Sequence, residues 1–283
     1  MAQSGATATI VIPAHNEALG LRRLLPLLVG PATPGEFRII VVCNGCTDAS
    51  ADEARAYGDA VEVIELTEAS KAGAIAAGAA VTSDFPLFFV DADVAIDAGS
   101  IRSIAEVLGR PGVLAAAPAR ILERGGVSPL AGWYYDVWER LPQVRTGLFG
   151  RGVIGLAEEG HRRVAGLPRY MSDDLAFSEA FQPDERTIVE EATVSVWPAR
   201  TWRSLLKRRI RVIAGNRELA QAGGVSESSS THADDLVRIA RKEPRMAPRI
   251  VVFGATTVVA RLGEKRRRSR EAEWLRDETS RSA

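Results

Sequence analysis

Cysteine is scarce in this chain: only Cys43 and Cys46 occur among 283 residues, and they lie three positions apart. A disulfide framework therefore does not hold the fold together, and a reducing compartment is the simpler expectation. Histidine is almost as rare, with three residues, so a zinc site built from histidine and cysteine is not expected. The sequence instead predicts a fold that depends on an ordinary hydrophobic core.

Long apolar runs are also missing. The first eight residues form a short, mostly polar segment. This segment lacks the basic and apolar regions of a secretion signal. The longest late apolar run, residues 250–260, is shorter than the ~20 residues that a membrane-spanning helix needs. We therefore expect a cytoplasmic protein without a membrane-spanning helix.

The chain has no net charge, because 36 basic residues balance 36 acidic ones. Since the sequence also contains no nucleic-acid recognition motif, nucleic-acid binding is not expected. The charges are unevenly distributed: residues 196–283 carry about 20 Lys and Arg against about 10 Asp and Glu. Residues 250–260, flanked by Arg249, Arg261 and the Lys265–Arg268 cluster, allow two interpretations. One is a helix packed on the rest of the protein, and the other is peripheral contact with the inner face of an anionic membrane.

Short β-branched runs alternate with amphipathic stretches through most of the chain, which predicts βαβ units around a largely parallel sheet. The predicted strands are residues 9–13, 37–42, 61–66, 86–90, 113–119 and 188–197. The predicted helices are residues 17–29, 47–57, 71–81, 100–108, 130–141 and 201–222, with a further helix beginning at Ser172. We expect an α/β domain over residues 1–222 with two halves that meet near residue 120. A linker over residues 223–231, rich in glycine and serine, and a helical extension over residues 232–283 would follow.

Two aspartates separated by one residue, Asp91 and Asp93, directly follow the buried strand 86–90. Ligands collect at the carboxyl ends of the strands in parallel sheets. Two carboxylates at one point are costly unless a cation neutralises them, so the pair predicts Mg²⁺ or Mn²⁺ bound to a nucleotide diphosphate. A solvated loop with helix-capping aspartates explains an isolated Asp-x-Asp equally well.

Five segments resemble family 2 glycosyltransferases in their order and approximate spacing, and the likeness covers about residues 8–215. The segments are Val11–Glu17, Ile40–Asp48, Lys71–Ala74, Val90–Asp93 and Ser172–Leu175. The resemblance implies a GT-A fold, a Rossmann-like α/β architecture, with a nucleoside-diphosphate sugar as donor and usually a divalent metal. It also implies that the sugar is transferred with inversion to an acceptor hydroxyl on a small molecule, a glycan or a lipid.

The resemblance also implies a role for individual residues. The nucleotide and its sugar would be bound by Pro13, Ala14, Glu17, Asn44, Lys71, Asp91, Ala92 and Asp93. Asp93 would be the principal metal ligand with Asp91 beside it, and His232 would be a further ligand from the C-terminal region. Asp174 would be the general base, since inversion in one displacement needs a carboxylate that removes the hydroxyl proton. Helix-end carboxylates are the structural alternative for Glu17 and Asp174.

Two features depart from the family pattern or fit a different function. Cys43 stands where family members usually carry an aspartate that contacts the base, which puts uracil recognition in doubt because a thiol is a poor hydrogen-bond partner. Cys43 and Cys46 also form a Cys-x-x-Cys pair, the arrangement of thiol–disulfide redox proteins. A retaining GT-A transferase, or a non-catalytic GT-A-like scaffold that binds nucleotide, would share the nucleotide-binding segments and also fits the sequence.

The aromatic residues between positions 133 and 138 allow two interpretations. Flat rings provide a platform for a sugar or lipid acceptor, and they equally suit the buried face of a helix. The residues concerned are Trp133, Tyr134, Tyr135 and Trp138.

Overall fold

The chain forms a mixed eight-stranded sheet, which confirms the α/β class that the sequence predicts. The computed structural model describes residues 7–167, 173–221 and 231–267. The strands lie in the order β3-β2-β1-β4-β7-β6-β8-β5. Their bounds are β1 Ala8–Ala14, β2 Phe37–Asn44, β3 Val61–Leu66, β4 Leu87–Val90, β5 Val94–Ile96, β6 Ala115–Leu122, β7 Val153–Leu156 and β8 Arg186–Val196.

The helices alternate with the strands in the first part of the chain and dominate its last part. Their bounds are α1 Ala18–Val29, α2 Ser50–Arg55, α3 Lys71–Ala80, α4 Ala98–Leu108, α5 Pro129–Trp138, α6 Pro142–Thr146, α7 Glu158–Ala165, α8 Asp173–Glu179, α9 Trp202–Gln221, α10 Ala233–Lys242 and α11 Ala247–Arg267. Most of the linker predicted at residues 223–231 lies outside the described residues, and so does the tail after residue 267.

The parallel half of the sheet positions the loops that matter for function. Strand β1 pairs in parallel with β2 on one side and with β4 on the other, and β2 pairs in parallel with β3. The apolar side chains of β1 and β4 are buried because strands inside a parallel sheet are covered on both faces. The carboxyl ends of these four strands therefore lie at one edge of the sheet.

Helix α1 shows how the pattern in the sequence produces this core. Its leucines recur at spacings of three and four, which places them on one face of the helix. All four leucines of this face are fully buried, namely Leu21, Leu24, Leu25 and Leu28.

The antiparallel half of the sheet comprises β7 paired with β4 and β6, and β5 paired with β8.

The chain divides into two compact units. The first consists of Met1–Ile121, Leu148–Arg169 and Ala180–Val196, and the second of Leu122–Gly147, Tyr170–Glu179 and Trp197–Ala283. The first unit contains nearly the whole sheet and helices α1 to α4 and α7. The second contains α5, α6 and α8 to α11. The domain boundaries proposed from the sequence stay a prediction.

Several elements of the structure differ from the sequence prediction, which also contains neither strand β7 nor helix α6. Strand β5, Val94–Ile96, has only three residues and was missed, since so short a run carries no measurable period. Helix α7 was also missed, because it is polar apart from a few residues and buries only Gly160 and Val164. Helix α2 begins at Ser50, three residues after the predicted start at residue 47. The carboxylate of Asp48 instead accepts hydrogen bonds from the backbone N–H groups of Ala18 and Ser50.

Gly78 provides a test of the packing between α3 and the sheet. A Cβ at this position would lie 2.4 Å from Cγ1 of Val11 and 3.2 Å from Cγ2 of Val42. We expect Gly78→Ala to lower the free energy of unfolding by about 1–3 kcal/mol, because the added methyl group would clash with two valines that are fully buried in the sheet. Urea unfolding followed by circular dichroism measures this change.

Gly99→Ala is the matched control, since Gly99 lies on the exposed side of α4 in the same unit and its added Cβ would make only an ordinary contact at 3.4 Å. This variant should unfold at the wild-type urea concentration or slightly above it, because alanine favours helix. Equal loss of stability in both variants would contradict the packing described for Gly78.

Candidate active site

Hydrogen bonds join the loop after β1 to the loop after β2. Asn16 has a positive φ of 54°, and its side-chain oxygen accepts a hydrogen bond from the backbone N–H of Thr47 at 2.7 Å. The carboxylate of Asp48 accepts from the N–H of Ala18 at 3.2 Å and from the N–H of Ser50 at 3.0 Å. These bonds hold the start of α1 against the start of α2. Partial burial raises the pKa of Asp48, but a hydrogen bond from the Ser50 hydroxyl, together with these backbone bonds, outweighs it and keeps the pKa below its usual range.

Asn44 and Ala14 lie side by side at the ends of β2 and β1. The side-chain amide of Asn44 donates to the carbonyl of Ala14 at 2.8 Å, and Nδ1 of His15 forms a hydrogen bond with the backbone carbonyl of Asn44. Pro13, Ala14 and Asn44 are buried. At these strand ends, the residues predicted to bind the donor therefore have mainly backbone groups available for a ligand. The side-chain amide of Asn44 is already used to hold the loop.

Glu17 is buried at the start of α1. Its backbone N–H donates to Oγ of Ser50 at 2.8 Å, and its carboxylate acts electrostatically on Arg23, one turn and a half further along the helix. The charge of this carboxylate is thus directed into the protein. Its predicted contact with a nucleoside stays a prediction.

The loop after β3 joins the same edge through Gly45 and Ser70. Gly45 has a φ of +58°, and a Cβ there would lie 2.9 Å from the backbone nitrogen of Ala69, so only glycine fits between the two loops. Ser70 caps α3, since its Oγ accepts from the N–H of Gly73 at 3.0 Å. This cap sets the first residue of the helix, Lys71, at the sheet edge.

The Asp91-Ala92-Asp93 triplet follows directly after β4 and is held by its backbone. The N–H of Asp91 donates to the carbonyl of Gly152 at 2.7 Å. Gly20 of α1 packs on the other side, where a Cβ would lie only 2.3 Å from the carbonyl oxygen of Ala92. The guanidinium of Arg23 donates to the carbonyl of Asp93 at 3.4 Å. The triplet is therefore fixed from α1 and from the loop before β7.

Lys71 lies beside the triplet as an internal counter-charge. Its Nζ is 2.8 Å from Oδ1 of Asp91, and both side chains are partly exposed. On the side of Asp93, burial lowers the pKa of the Arg23 guanidinium, and the charges of Asp93 and Glu17 oppose that shift. Protein cations thus offset part of the negative charge. The two aspartates therefore require an external cation less strictly than the sequence predicts, because Lys71 already neutralises one of them.

The donor set nevertheless fits a magnesium-like ion. Such ions bind proteins through one or two carboxylates and take further oxygens from water and substrate phosphates. Within residues 7–167, 173–221 and 231–267, no group of three or more His, Cys, Asp or Glu side chains is arranged to hold a metal ion. The two aspartates of the triplet suit the kind of site in which a diphosphate completes the coordination.

Asp174 and His232 belong to the second unit. Asp174 is the second residue of α8, but its side chain lies outside the described residues. His232 is the exposed residue before α10, where its side chain accepts from the backbone of Asp235 and its N–H donates to the Asp235 carboxylate at 3.3 Å. This capping box gives His232 a structural role, and both residues' proposed roles in the reaction stay predictions.

The aromatic group of α5 is largely core. Tyr134 is buried, and its ring stacks on Phe253 of α11 with the centroids 4.8 Å apart. Tyr135 is also buried, and its hydroxyl accepts a hydrogen bond from the N–H of Ala199 at 3.1 Å. Only Trp133 is exposed. The group as a whole therefore follows the core-packing interpretation.

The structure adds residues to this site that sequence reasoning missed. Gly20 packs against the backbone of Ala92, the carbonyl of Gly152 accepts a hydrogen bond from Asp91, and Arg23 contributes a cation beside Asp93. A glycine within the buried stripe of α1 is a signal of close packing that was available in the sequence. Nothing in the sequence pairs Gly152 with Asp91, because this contact joins positions 61 residues apart.

The cysteine pair does not resemble a reactive redox site. Cys43 is buried in β2, and burial, with a smaller effect of Cys46, raises the pKa of its thiol to about 12. Reactive cysteines have lowered pKa values. The thiol of Cys46 donates to the carbonyl of Ala14 at 3.4 Å and accepts from the N–H of Asn16 at 3.5 Å, so it helps to hold the loops together.

Comparisons with known proteins agree with this architecture. The model of glycosyl transferase family 2 matches residues 9–152, a range that ends at Gly152 beside the triplet. No curated protein sequence matches the chain. Among solved structures, the mannosyltransferase PcManGT from Pyrobaculum calidifontis in complex with GDP-Man and Mn²⁺ has a TM-score of 0.62 at 14% identity, over 96% of this chain and 77% of that chain.

Two further structures have the same fold. Glucosyl-3-phosphoglycerate synthase from Mycobacterium tuberculosis, with Mn²⁺ and UDP-Glc, has a TM-score of 0.55 at 20% identity, over 79% of this chain and 82% of its own. TarS 1–349 from S. aureus, with UDP-GlcNAc, has a TM-score of 0.51 at 13% identity, over 67% of this chain and 58% of its own. All three are GT-A glycosyltransferases, which confirms the GT-A fold.

The cysteines provide a test of the site's local structure. Under native conditions at mildly alkaline pH, we expect iodoacetamide to alkylate Cys46, which is partly exposed, well before Cys43. The raised pKa of Cys43 leaves almost no thiolate, and burial blocks access. Peptide mass spectrometry over a time course measures both rates. After unfolding in urea the two rates should converge, and faster labelling of Cys43 in the folded protein would contradict the structure.

Proposed function

The chain belongs to glycosyltransferase family 2, and from this premise we propose that it transfers a sugar from a nucleoside diphosphate to an acceptor hydroxyl, with a divalent metal and with inversion. That it is a glycosyltransferase follows from the family match and the fold. Metal dependence, inversion and the identities of donor and acceptor belong to the proposal. Biosynthesis of a glycan, a glycolipid or a natural product in the cytoplasm is the setting that we propose.

The observation that carries the proposal is the position of the Asp91-Ala92-Asp93 triplet. It follows the buried strand β4 at the edge where β1, β2 and β3 also end, which is where ligands bind in parallel sheets. The backbone of the triplet is fixed by Gly152 and Gly20, so its carboxylates are supported before any ligand arrives. Preorganised groups of this kind do not need to be ordered during the reaction.

We propose that Asp93 and Asp91 hold Mg²⁺ or Mn²⁺. The metal, when bound, would offset negative charge on the departing diphosphate. Lys71 would act on the same charge, since its ammonium group is 2.8 Å from Asp91 and partly exposed at the sheet edge. An ammonium group in this position attracts phosphate oxygens as a point charge. Exchange of its partner from Asp91 to a phosphate would release Asp91 for the metal.

Recognition of the donor's base would involve the ends of β1 and β2, near Cys43. The PcManGT complex contains GDP-Man, and the synthase complex contains UDP-Glc, so the fold accommodates more than one base. A protonated, buried Cys43 offers a base little hydrogen bonding. Backbone groups at the ends of β1 and β2 are the remaining recognition elements that we propose near this position.

Asp93→Asn tests the metal site. We expect this variant to lose sugar transfer by on the order of 100-fold or more, because a neutral amide is a poor ligand for a hard cation. The thermal stabilisation that UDP or GDP gives the wild-type protein with Mn²⁺ should disappear, whereas the Tm without nucleotide should stay close to wild type. Differential scanning fluorimetry with and without Mn²⁺ measures this effect.

Asp59→Asn is the control, since Asp59 is an exposed acid of the same unit away from the triplet in the sequence. This variant should keep both activity and nucleotide stabilisation. Wild-type activity of Asp93→Asn in the presence of a chelator would refute the proposed metal site.

Asp174→Asn tests the proposed general base. We expect the rate of transfer to fall by ~10²–10⁴-fold, while nucleotide and Mn²⁺ still raise the Tm as in the wild-type protein. Proton NMR of the product gives the anomeric configuration. Unchanged transfer by Asp174→Asn would remove this residue from the mechanism, and retention of configuration would replace inversion by a retaining mechanism.

A further inference from the structure

Helix α11 buries one of its faces against helices of its own unit. Phe253 stacks on Tyr134 of α5, and Oγ1 of Thr256 accepts a hydrogen bond from Nε1 of Trp202 of α9 at 3.0 Å. Glu264 is buried and forms an ion pair with Arg217 of α9. Arg249, at the beginning of the helix, pairs with Asp136 of α5 at 2.9 Å. These contacts define the inward face of α11 along almost its full length.

The opposite face of α11 exposes a stripe of apolar side chains. Val251 is 70% exposed, Val258 55%, Val259 41% and Leu262 53%, and Ala255 lies between them and is also exposed. These positions recur at spacings of three and four, so they form one continuous face about three turns long. Scattered exposed apolar residues are normal, whereas a continuous apolar face marks an interaction surface.

Basic residues border this stripe at the carboxyl end of the helix. Arg261 and Lys265 are exposed, and each lies three positions from Val258 or Leu262, on the flank of the same face. Across residues 261–267 the helix carries four basic residues and one acid, Glu264. Because Glu264 is directed inward to Arg217, the outward charge at this end is positive. An apolar stripe with a basic border matches an interface between anionic headgroups and acyl chains.

Length alone does not exclude a membrane-spanning helix. Within the described residues, one segment, Pro244–Arg266, is long and apolar enough to cross a membrane by length and composition. The sequence prediction counted only residues 250–260, and the helix is longer than that run.

The packing of α11 favours a position on the surface over a span. Its inward face is bound to α9, which carries several basic residues, Arg203, Lys207, Arg208, Arg209 and Arg211. A spanning α11 would draw these charges and the Glu264–Arg217 pair towards the hydrocarbon, where charges are costly.

We propose that the outward face of α11 binds the surface of an anionic lipid bilayer. Val251, Val258 and Leu262 enter the boundary between headgroups and acyl chains, while Arg261 and Lys265 contact phosphate groups at its edge. The inward contacts stay in place, so binding requires no rearrangement of the second unit. This inference is independent of the proposed sugar transfer, since it uses no residue of the donor site.

Vesicle flotation with the full-length protein tests the proposal. We expect the wild-type protein to float with vesicles of phosphatidylcholine and phosphatidylglycerol and to remain unbound with phosphatidylcholine alone. High salt should release it, because exposed charges are screened. Neutralising two basic residues in Arg261→Gln/Lys265→Gln should lower the partition coefficient by roughly 30-fold. The double variant Val258→Asp/Leu262→Asp should abolish binding, since this change places two carboxylates in the apolar stripe.

Helix α10 offers matched controls. Arg241 and Lys242 are exposed at its carboxyl end, and Val237 is 45% exposed, so Arg241→Gln/Lys242→Gln and Val237→Asp repeat both kinds of change elsewhere. These controls should float like the wild-type protein, and circular dichroism should show all variants folded.

Three results would overturn the proposal. The first is the absence of flotation with anionic vesicles at low salt, and the second is equal loss of binding in the controls. The third is a dimer in light scattering that Val258→Asp/Leu262→Asp converts to a monomer, because the stripe would then be an interface between two copies of the chain.

Discussion

The parallel pairing of β1 with both β2 and β4 is the constraint on which the candidate site depends. It brings the ends of four strands to one edge, so that loops far apart in the sequence become neighbours. Hydrogen bonds and small residues then fix these loops. The side-chain amide of Asn44 donates to the carbonyl of Ala14, and the absence of a side chain at Gly45 allows the backbone of Ala69 to pack closely against it. The chemistry attributed to the triplet is possible only because its support comes from this framework and not from the aspartates themselves.

Electrostatic balance is the second organising feature. Two acids at a strand end are tolerable without a ligand because Lys71 and Arg23 lie beside them. Both cations belong to helices that begin at the same edge, and both are positioned by residues whose own role is structural, Ser70 for α3 and Gly20 for the approach of α1. A site of this kind carries a near-neutral set of charges before substrate binds, which lowers the electrostatic penalty of folding.

Much of the first unit could be predicted from the sequence because its elements have clear periods. The buried stripe of α1 and the continuous apolar strand β4 follow directly from the spacing of Leu21–Leu28 and from residues 86–90. The order of the motifs was sufficient to indicate the family. The elements that the sequence prediction lacks, β5, β7, α6 and α7, are short or mostly polar: β5 has three residues and pairs with β8, and α7 buries only Gly160 and Val164.

The candidate site was predictable only in part, for a similar reason. The residues that bear its chemistry are visible in the sequence, but Gly152 and Arg23 reach the triplet through contacts that only the folded chain creates. The two aspartates also need a metal less strictly than their spacing indicates, since the sequence does not reveal that Lys71 would face Asp91. The aromatic residues of α5 also needed the structure for their assignment. The sequence allowed either an acceptor platform or core packing, and the structure buries Tyr134 and Tyr135 in the core.

The stacking of Phe253 on Tyr134 has a consequence for where the protein can be shortened. The glycine- and serine-rich stretch before α10 resembles a natural place to separate a catalytic core from a dispensable appendage. The ring of Tyr134 and the indole of Trp202 nevertheless obtain their cover from α11, beyond that stretch. A truncated chain ending there would expose both aromatic groups to water, so the last helices are an integral layer of the second unit's core.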